Sequence, residues 1–336
     1  MNILFTVPHG TIREHYFPDD AIAALKRLGD VVFNDKEDQF SPAELKEHIT
    51  DREVCLTHWG CPKFTADVLQ HANRLGLIVH AAGSVGDLVT DHVYAEGIKV
   101  CSANKIMAKS TAEGVLAYIL VGLRQIPRID KGMKSRRPWE ELRINRGGEL
   151  FGAKIGLVGL GTIGRCLLDV LKPFDARVKV YDPYITQVSI AHHSNVELCT
   201  SLNEVLRWGD IISLHASLTK ETRHMIDDEK FRLIRDHSLF VNTARGAIID
   251  EAALIGELRT GRLSAVLDVY ETEPLPLDSP LRTLDNVILM PHVATIVRER
   301  MSYAMLAEIE RYSKGEPLQY EISYEQFTLM TKEHNY

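Results

Sequence analysis

Short runs of β-branched and other apolar residues alternate with amphipathic stretches along the first hundred residues. Helical spacing of apolar positions predicts helices at Ala21–Leu28, Pro42–Ile49 and Thr65–Leu75. Ser41 before Pro42, with Glu44 just inside, is typical of a helix start. The runs between these stretches predict strands at Ile3–Val7, Val31–Asn34, Val54–His58, Leu77–Ala81 and Lys99–Ser102. Strands that alternate with helices indicate a parallel sheet, and therefore an α/β fold.

A second alternating series begins after residue 153. Its apolar runs predict strands at Lys154–Val158, Arg177–Tyr181, Ile211–His215, Leu239–Asn242, Ala265–Asp268 and Val287–Met290. Its amphipathic stretches predict helices at Gly164–Leu171, Leu202–Arg207, Asp227–Ile234 and Glu251–Thr260. This order predicts a doubly wound unit of six strands, followed by one more helix at about Val297 to Tyr312.

The two series are joined by a long helix and a basic segment. Apolar residues from Ala108 to Gln125 predict the helix. The segment from Arg128 to Arg146 is rich in lysine and arginine and almost without aliphatic residues. A solvated excursion is the simplest interpretation. Trp139 within the segment favours an arm that packs on another subunit.

Composition narrows the functional classes. A chain of 336 residues is typical of about two domains. The net charge of −7 argues against nucleic-acid or anionic-membrane partners, and the longest apolar run, Val115 to Leu123, is too short to span a bilayer. The N-terminus has no features of a signal peptide. The five cysteines form no CxxC motif, which favours reduced thiols and a cytoplasmic location. No metal site is predicted, and His192 and His193 are interpreted as a solvated pair.

A glycine-rich turn follows the strand predicted at Lys154–Val158. Gly159, Gly161 and Gly164 form a GxGxxG pattern that opens a helix, as a dinucleotide-binding turn requires. Asp182 lies at the end of the next strand, 18 residues past Gly164. A carboxylate there accepts hydrogen bonds from ribose hydroxyls and repels a 2′-phosphate, which favours NAD over NADP. A purely structural glycine turn is the alternative, and the strand, spacing and acid together argue against it.

Three later segments each place a reactive side chain after a predicted strand. Arg245 lies in Asn242–Gly246, Glu273 in Asp268–Pro274 and His292 in Met290–Ala294. A guanidinium binds a carboxylate, and an imidazole paired with a carboxylate exchanges a proton near neutral pH. Each residue alone is typical of a surface or structural position. Their joint occurrence beyond a dinucleotide turn favours catalysis.

At these residues the sequence resembles the D-isomer-specific 2-hydroxyacid dehydrogenase family. The resemblance covers nearly the whole chain and rests on several ordered motifs: Ala82–Asp87, Ala112–Glu113, Gly159–Gly164, His215–Thr219, Asn242–Gly246, Asp268–Pro274 and Pro291–His292. Two departures stand out. Ser217 replaces the usual proline of the HxPLT motif. The loop after Gly83 lacks the usual Asp-Asn-(Val/Ile)-Asp run, which affects substrate preference.

The resemblance implies roles for individual residues. Arg245 would bind and activate the substrate, His292 would donate the proton in oxo-acid reduction, and Glu273 would be its partner. Backbone N–H groups around Val85 and Gly86, next to Ser84, would bind the substrate carboxylate. Besides the glycines, the cofactor contacts would be Thr162, Ile163, Asp182, His215, Thr243, Ala244 and Asp268.

The resemblance also implies the domain organisation. A flavodoxin-like substrate domain would comprise residues 1–101 and 294–336, and a Rossmann domain residues 102–293. The active site would lie in the cleft between them. A dimerisation arm near residues 127–148 would make the protein a homodimer.

The expected reaction is hydride transfer between the nicotinamide of NAD and C2 of a small, unphosphorylated 2-oxo or D-2-hydroxy acid. The loop after the third strand, His58–Pro62, has no arginine to clamp a phosphate, although Lys105, Arg143 or Arg146 are alternative cations. A non-catalytic, NAD-sensing protein of the corepressor type is the alternative function. It is disfavoured because the tail beyond Tyr320 is short.

Overall fold

The computed structural model describes residues 1–144, 147–191 and 193–331. The chain forms two compact units. The first unit comprises Met1–Met107 and the described residues from Ile296 onward, and the second comprises Ala108–Thr295. These boundaries lie slightly later than those expected after residues 101 and 293. His192 and Arg146 lie outside the described residues, and His193, expected to be solvated, is instead buried with 8% exposure.

The first unit contains a five-stranded parallel sheet with strand order β2-β1-β3-β4-β5. This is the flavodoxin-like order, in which ligands bind at the carboxyl ends of the strands. Two apolar clusters cover the sheet, as expected for strands buried on both faces. The strands are β1 Asn2–Phe5, β2 Asp30–Phe33, β3 Val54–Thr57, β4 Leu77–His80 and β5 Lys99–Ser102.

The second unit contains a seven-stranded parallel sheet with strand order β12-β11-β10-β9-β6-β7-β8. Its strands are β6 Lys154–Val158, β7 Arg177–Tyr181, β8 Val196–Cys199, β9 Ile211–Leu214, β10 Leu239–Asn242, β11 Ser264–Leu267 and β12 Val287–Leu289. Counted from β6, this is the Rossmann order with one strand added beyond β11. The α/β fold class is confirmed.

The six-strand prediction for this unit was wrong, because β8 was missed. This strand pairs with β7 and lies at the edge of the sheet. It has four residues, of which Glu197 is exposed and Leu198 half-buried. A short edge strand with one solvated position lacks the continuous apolar run that identified the other strands.

Of the described helices, the first twelve lie between strands in the chain order, and the last two follow β12. They are α1 Thr11–Tyr16, α2 Asp19–Leu28, α3 Pro42–His48, α4 Ala66–Leu69, α5 Asp91–Ala95, α6 Asn104–Leu123, α7 Ile126–Lys134, α8 Trp139–Ile144, α9 Thr162–Leu171, α10 Leu202–Trp208, α11 Asp228–Leu233, α12 Glu251–Arg259, α13 Glu299–Lys314 and α14 Tyr324–Thr328. The predicted start of α3 is confirmed, because Ser41 and Glu44 form a reciprocal capping box.

The helix predicted at Thr65–Leu75 is much shorter in the structure. Thr65 Oγ1 accepts from Val68 N at the start of α4, which then ends at Leu69. The amides of His71 and Ala72 bond to carbonyls three residues back, which makes turns. The apolar residues of this segment therefore pack into the core from a short helix and the turns after it.

Helix α6 is, among the described helices, the one long and apolar enough to cross a membrane by length and composition alone. A core helix passes the same test, and Ala112, Val115 and Ile119 of α6 lie in the apolar core of the second unit. The basic segment that follows folds as α7 and α8. Ile126, Met133 and Trp139 are exposed on these two helices.

Candidate active site

The glycine-rich turn between β6 and α9 has the geometry that its sequence predicts. Gly159 has φ 93°, and a Cβ at this position would lie 2.6 Å from Ala216 N. A Cβ on Gly164 would lie 2.8 Å from the Gly159 carbonyl oxygen. Nothing lies within 4 Å of a Cβ built on Gly161. The first and third glycines are thus required for packing, and the second leaves open space at the helix start.

Asp182 holds this turn from the end of β7. One of its carboxylate oxygens accepts from Leu160 N at 2.7 Å, and the other accepts from Tyr184 N at 2.9 Å. Gly159 N donates to the Tyr181 carbonyl at 2.9 Å. The Asp182 carboxylate, which is predicted to accept hydrogen bonds from the ribose hydroxyls, therefore lies directly beside the glycine turn.

The residues around the turn fit a dinucleotide. Gly161 is the N-cap of α9 and provides no side-chain hydrogen bond to the amides at the start of the helix, where Thr162 and Ile163 lie. Thr243 Oγ1 and His215 Nδ1 are buried and have no hydrogen-bond partner among the described residues. Ala244 follows Thr243 and is half-buried. Buried polar atoms are nearly always satisfied, so these two are candidates for ligand contacts.

His215 is held by its other ring nitrogen. Its Nε2 lies 2.9 Å from Ser213 Oγ. Burial lowers the pKa of His215 to about 4, so the ring is neutral at neutral pH. A neutral imidazole beside the cofactor turn contributes a hydrogen bond without a charge.

Arg245 lies on a tight turn after β10. The Asn242 side chain closes this turn, because it donates to the Arg245 carbonyl at 3.2 Å and accepts from Ala244 N at 3.0 Å. A Cβ on Gly246 would lie 1.8 Å from the carbonyl carbon of Tyr270. The turn therefore packs backbone to backbone against the segment after β11, which carries Glu273. Arg245 itself is half-buried, and its Nη1 donates to the Ala244 carbonyl at 2.7 Å.

Glu273 and His292 form a hydrogen-bonded pair. His292 Nδ1 lies 2.8 Å from Glu273 Oε2, and both side chains are partly exposed. The second oxygen of Glu273 accepts from Tyr270 N at 3.1 Å. The hydroxyl of Tyr270 donates to the carbonyls of Leu267 and Met290, which ties the ends of β11 and β12 together. The carboxylate fixes Nδ1 and leaves Nε2 for proton exchange.

Asp268 is 1% exposed, and the backbone around His292 bonds to it. His292 N donates to the Asp268 carbonyl at 2.9 Å. Val293 N and Ala294 N donate to the two carboxylate oxygens at 2.8 and 2.9 Å. His292 itself has φ 56°, which is uncommon for a residue with a side chain. The cofactor contact expected of Asp268 stays a prediction, and its visible role is to anchor this loop.

The predicted substrate loop lies in the first unit, after β4. Gly86 N donates to Ser84 Oγ at 3.2 Å, so this amide is already engaged. Ser84 Oγ donates in turn to the Thr331 carbonyl at 3.2 Å. Val85 is buried in a cluster that also contains Leu88 and Phe327 of α14.

Some residues of the site escaped sequence reasoning. Tyr118 of α6 donates to Asp268 Oδ1 at 3.1 Å. Tyr118 lies between apolar residues of α6, and in the sequence this position indicates core packing only. Tyr270 was noted as part of a motif, but no local pattern revealed its links to Glu273 and Met290.

One group of possible metal ligands occurs among the described residues, and it does not include His292 or Glu273. Glu197, Cys199 and Glu204 bring their ligand atoms together beside β8. The Lys179 ammonium contacts both carboxylates, at 3.0 Å for Glu197, and so supplies the cation there.

The comparisons with known proteins agree with this geometry. Residues 116–294 match the family model described as D-isomer specific 2-hydroxyacid dehydrogenase, NAD binding domain. This match spans more than half of the chain and includes the glycine turn, Arg245, Glu273 and His292.

Two curated relatives cover most of the chain. A D-3-phosphoglycerate dehydrogenase from Methanocaldococcus jannaschii is 36% identical over 302 residues, which are 89% of this chain and 56% of the relative. A glyoxylate reductase from Thermofilum pendens is 33% identical over 309 residues, which are 89% of this chain and 90% of the relative. The chain thus spans about half of the first relative and most of the second.

Solved structures share the fold. D-mandelate dehydrogenase from Rhodotorula graminis superposes with a TM-score of 0.81 at 22% identity and covers 96% of this chain and 97% of that one. At this identity the likeness concerns architecture alone. Together, the glycine turn, the histidine–glutamate pair and the two relatives show that the chain belongs to the D-isomer specific 2-hydroxyacid dehydrogenases, a family of NAD-dependent oxidoreductases.

Proposed function

We propose that the protein interconverts a small, unphosphorylated 2-oxo acid and its D-2-hydroxy acid with NAD as the redox partner. The observation that carries this proposal is the 2.8 Å contact between His292 Nδ1 and Glu273 Oε2. A histidine so paired is oriented to exchange a proton at its other nitrogen. It lies in the same unit as a glycine turn that fits a dinucleotide.

A nicotinamide dinucleotide held at the glycine turn and Asp182 would supply or accept the hydride. During reduction of the oxo acid, His292 Nε2–H protonates the carbonyl oxygen while C2 receives the hydride. Glu273 stabilises the imidazolium before this transfer and holds the ring in place. During oxidation, neutral His292 removes the hydroxyl proton.

Arg245 is proposed to bind the substrate carboxylate and to polarise the adjacent carbonyl. A guanidinium presents several donors in a plane, which suits the neighbouring oxygens of a 2-oxo acid. The amides of the Ser84–Gly86 loop are proposed as a second carboxylate contact. Since Gly86 N donates to Ser84 Oγ in this structure, Ser84 has to release that amide before it reaches a substrate.

NAD is proposed over NADP because of Asp182. A carboxylate at the end of β7 accepts hydrogen bonds from both ribose hydroxyls and repels a 2′-phosphate. One carboxylate oxygen accepts from Leu160 N of the glycine turn and the other from Tyr184 N, and these two contacts hold the side chain in place.

The preference for an unphosphorylated acid rests on the loop after β3. Trp59 in this loop is 44% exposed and offers an apolar surface. Burial lowers the pKa of the adjacent His58 to about 4, so His58 adds no positive charge at neutral pH. A phosphate dianion that leaves water without a cationic partner is strongly disfavoured.

A screen of NADH oxidation tests the substrate proposal. The panel compares kcat/KM for glyoxylate, hydroxypyruvate, pyruvate and 3-phosphohydroxypyruvate, with NADPH as the second cofactor. We expect the unphosphorylated acids to be preferred. A tenfold preference for the phosphorylated acid would overturn the proposal and direct attention to Lys105 and Arg143. NADH binding without turnover on any acid would favour the corepressor-type alternative.

We also propose a cytoplasmic homodimer assembled through α7 and α8. The exposed side chains of Ile126, Met133 and Trp139 support this arrangement, since large apolar residues are enriched at such interfaces. Light scattering after size-exclusion chromatography should give twice the chain mass, and Trp139→Asp should shift the mass toward one chain. A monomeric wild type would refute the dimer.

A further inference from the structure

One face of α6 lies against the loop that carries His292. Thr111, Gly114 and Tyr118 occupy positions i, i+3 and i+7 of this helix, which places them on one side. Thr111 Oγ1 lies 2.6 Å from Thr295 Oγ1. A Cβ built on Gly114 would lie 2.2 Å from the Ala294 carbonyl oxygen. The loop and the helix are therefore in backbone contact immediately after His292.

Tyr118 reaches the anchor of the same loop. Its hydroxyl donates to Asp268 Oδ1 at 3.1 Å, the oxygen that also accepts from Val293 N. The buried Asp268 carboxylate thus has three donors, two from the loop and one from the helix. A buried carboxylate needs such donors, and each fixes its orientation.

The backbone at His292 depends on this anchor. A non-glycine residue at φ 56° is held there only when its surroundings over-determine it. The determinants are the amides of His292, Val293 and Ala294, all of which donate to Asp268. If the Asp268 carboxylate rotated, the hydrogen bonds from Val293 N and Ala294 N would be lost and the His292 backbone would relax.

We propose that Tyr118 is a positioning residue for His292: it orients the Asp268 carboxylate, and Gly114 lets α6 approach closely enough for this contact. Tyr118 touches neither substrate nor the reacting atoms in this scheme. The inference rests on the proposed role of His292 as the proton donor. It adds that the hydroxyl of a tyrosine in α6 sets the orientation of that donor.

The first test is Tyr118→Phe, which keeps the ring and removes only the hydroxyl. Kcat for oxo-acid reduction should fall by about tenfold, because a hydrogen bond to a charged group is lost. The KM for NADH should stay within twofold. Tyr303→Phe is the matched control, since Tyr303 donates to Asp20 Oδ2 at 2.6 Å in the first unit, and kcat should not change.

Hydrogen exchange measured by mass spectrometry reports how well the backbone of the His292 loop is held, independently of turnover. Amides in a peptide spanning residues 290–296 should exchange faster in Tyr118→Phe than in the wild type, and peptides from β6 and β10 should not change. A uniform increase across the second unit would mean that Tyr118 is merely structural. Unchanged exchange in this peptide, or unchanged kcat, would also overturn the proposal.

The second test is Gly114→Ala. The new methyl group must displace the loop or the helix, and a displacement of about 1 Å at a reacting group costs on the order of 10²-fold in rate. Gly256→Ala is the control, because Gly256 also lies inside a helix, α12, with nothing within 4 Å of its Cβ position. Equal kcat values for the two alanine variants would contradict the close approach.

These outcomes separate the positioning proposal from the proposed function. If His292→Ala retains turnover, the proton-donor role itself is wrong, whatever Tyr118 does. If His292→Ala is inactive while Tyr118→Phe has wild-type kcat and exchange, the function stands and the positioning role is refuted.

Discussion

Two loops proposed to meet the substrate are held in place by different physical forces. In the second unit, the loop with His292 is bound by amide hydrogen bonds to the buried carboxylate of Asp268. In the first unit, the loop with Ser84 is held mainly by apolar packing, since Val85 and Leu88 lie in one cluster with Phe327. Hydrogen bonds accompany that packing: Ser84 Oγ donates to the Thr331 carbonyl, Gly86 N donates to Ser84 Oγ, and Phe64 N donates to the Leu88 carbonyl.

The difference matches the role proposed for each loop. Hydrogen bonds are directional and weaken steeply when misaligned, so they fix an orientation. The hydrophobic effect is non-directional and fixes a position while it permits small adjustments. A proton donor requires a fixed orientation, whereas a loop that binds the carboxylates of several related acids benefits from tolerance. Substitutions in the two loops should therefore damage different kinetic parameters.

The largest effect is expected from His292→Ala. Kcat should fall by about 10² to 10⁴-fold, because a general acid acts in the transition state. The Kd of NADH, measured by fluorescence, should change little. Glu273→Gln keeps an acceptor oxygen beside Nδ1 and should cost less. Turnover near the wild-type rate in His292→Ala would show that the proton comes from another group.

The matching change in the first unit is Phe327→Ala. Phe327 is 2% exposed, and its truncation should lower the free energy of unfolding by about 3–5 kcal/mol. In the folded variant, KM for the oxo acid should rise while KM for NADH stays constant, because the packing under Val85 is lost. Leu329→Ala, at a half-exposed site just after α14, is the control. If kcat falls and KM for the oxo acid is unchanged, the two loops do not differ as described.

The sequence predicts the backbone turns of the second unit better than it predicts the apolar packing beneath the Ser84 loop of the first. Gly159, Gly164 and Gly246 are required by backbone approaches that only glycine permits, so the motif and the geometry have one cause. The strands β6 and β10 have the predicted bounds because buried parallel strands are nearly continuous apolar runs, and β7 has them because its apolar residues alternate with polar ones.

The remaining features depend on contacts between residues far apart in the chain. Helix α14 and its contact with the Ser84 loop join residues more than two hundred positions apart. Tyr118 and Asp268 are likewise separated by 150 positions. No local periodicity encodes such a contact, and a tyrosine inside an apolar helix has the pattern of a core residue.

A smaller effect tests the cofactor side of the second unit. Asp182→Ala should weaken NAD binding by about 1.5–3 kcal/mol, since charge-assisted hydrogen bonds to the ribose are lost. The ratio of kcat/KM for NADPH to that for NADH should rise. Asp182→Asn keeps an acceptor for the backbone of the turn and removes the charge, so it isolates the effect of charge on selectivity. An unchanged cofactor ratio in both variants would mean that Asp182 does not reach the ribose.

The smallest effect concerns acid stability of the first unit. His58 is 1% exposed and packs against the rings of Tyr16 and Trp59, and burial lowers its pKa to about 4. Its unfolded pKa is near 6.5, so between these values the unfolded chain binds a proton that the folded chain does not. This contribution to stability is complete above pH 6.5 and is lost as the pH falls toward 4.

His58→Phe keeps an aromatic ring and removes the titration, so urea unfolding should show the wild type losing about 2 kcal/mol more than the variant between pH 7 and pH 5. His71→Phe, at an exposed site, is the control. Parallel pH dependences for the wild type and His58→Phe would show that the ring is already hydrated in the folded protein, and that the apolar packing of this unit is looser than its burial indicates.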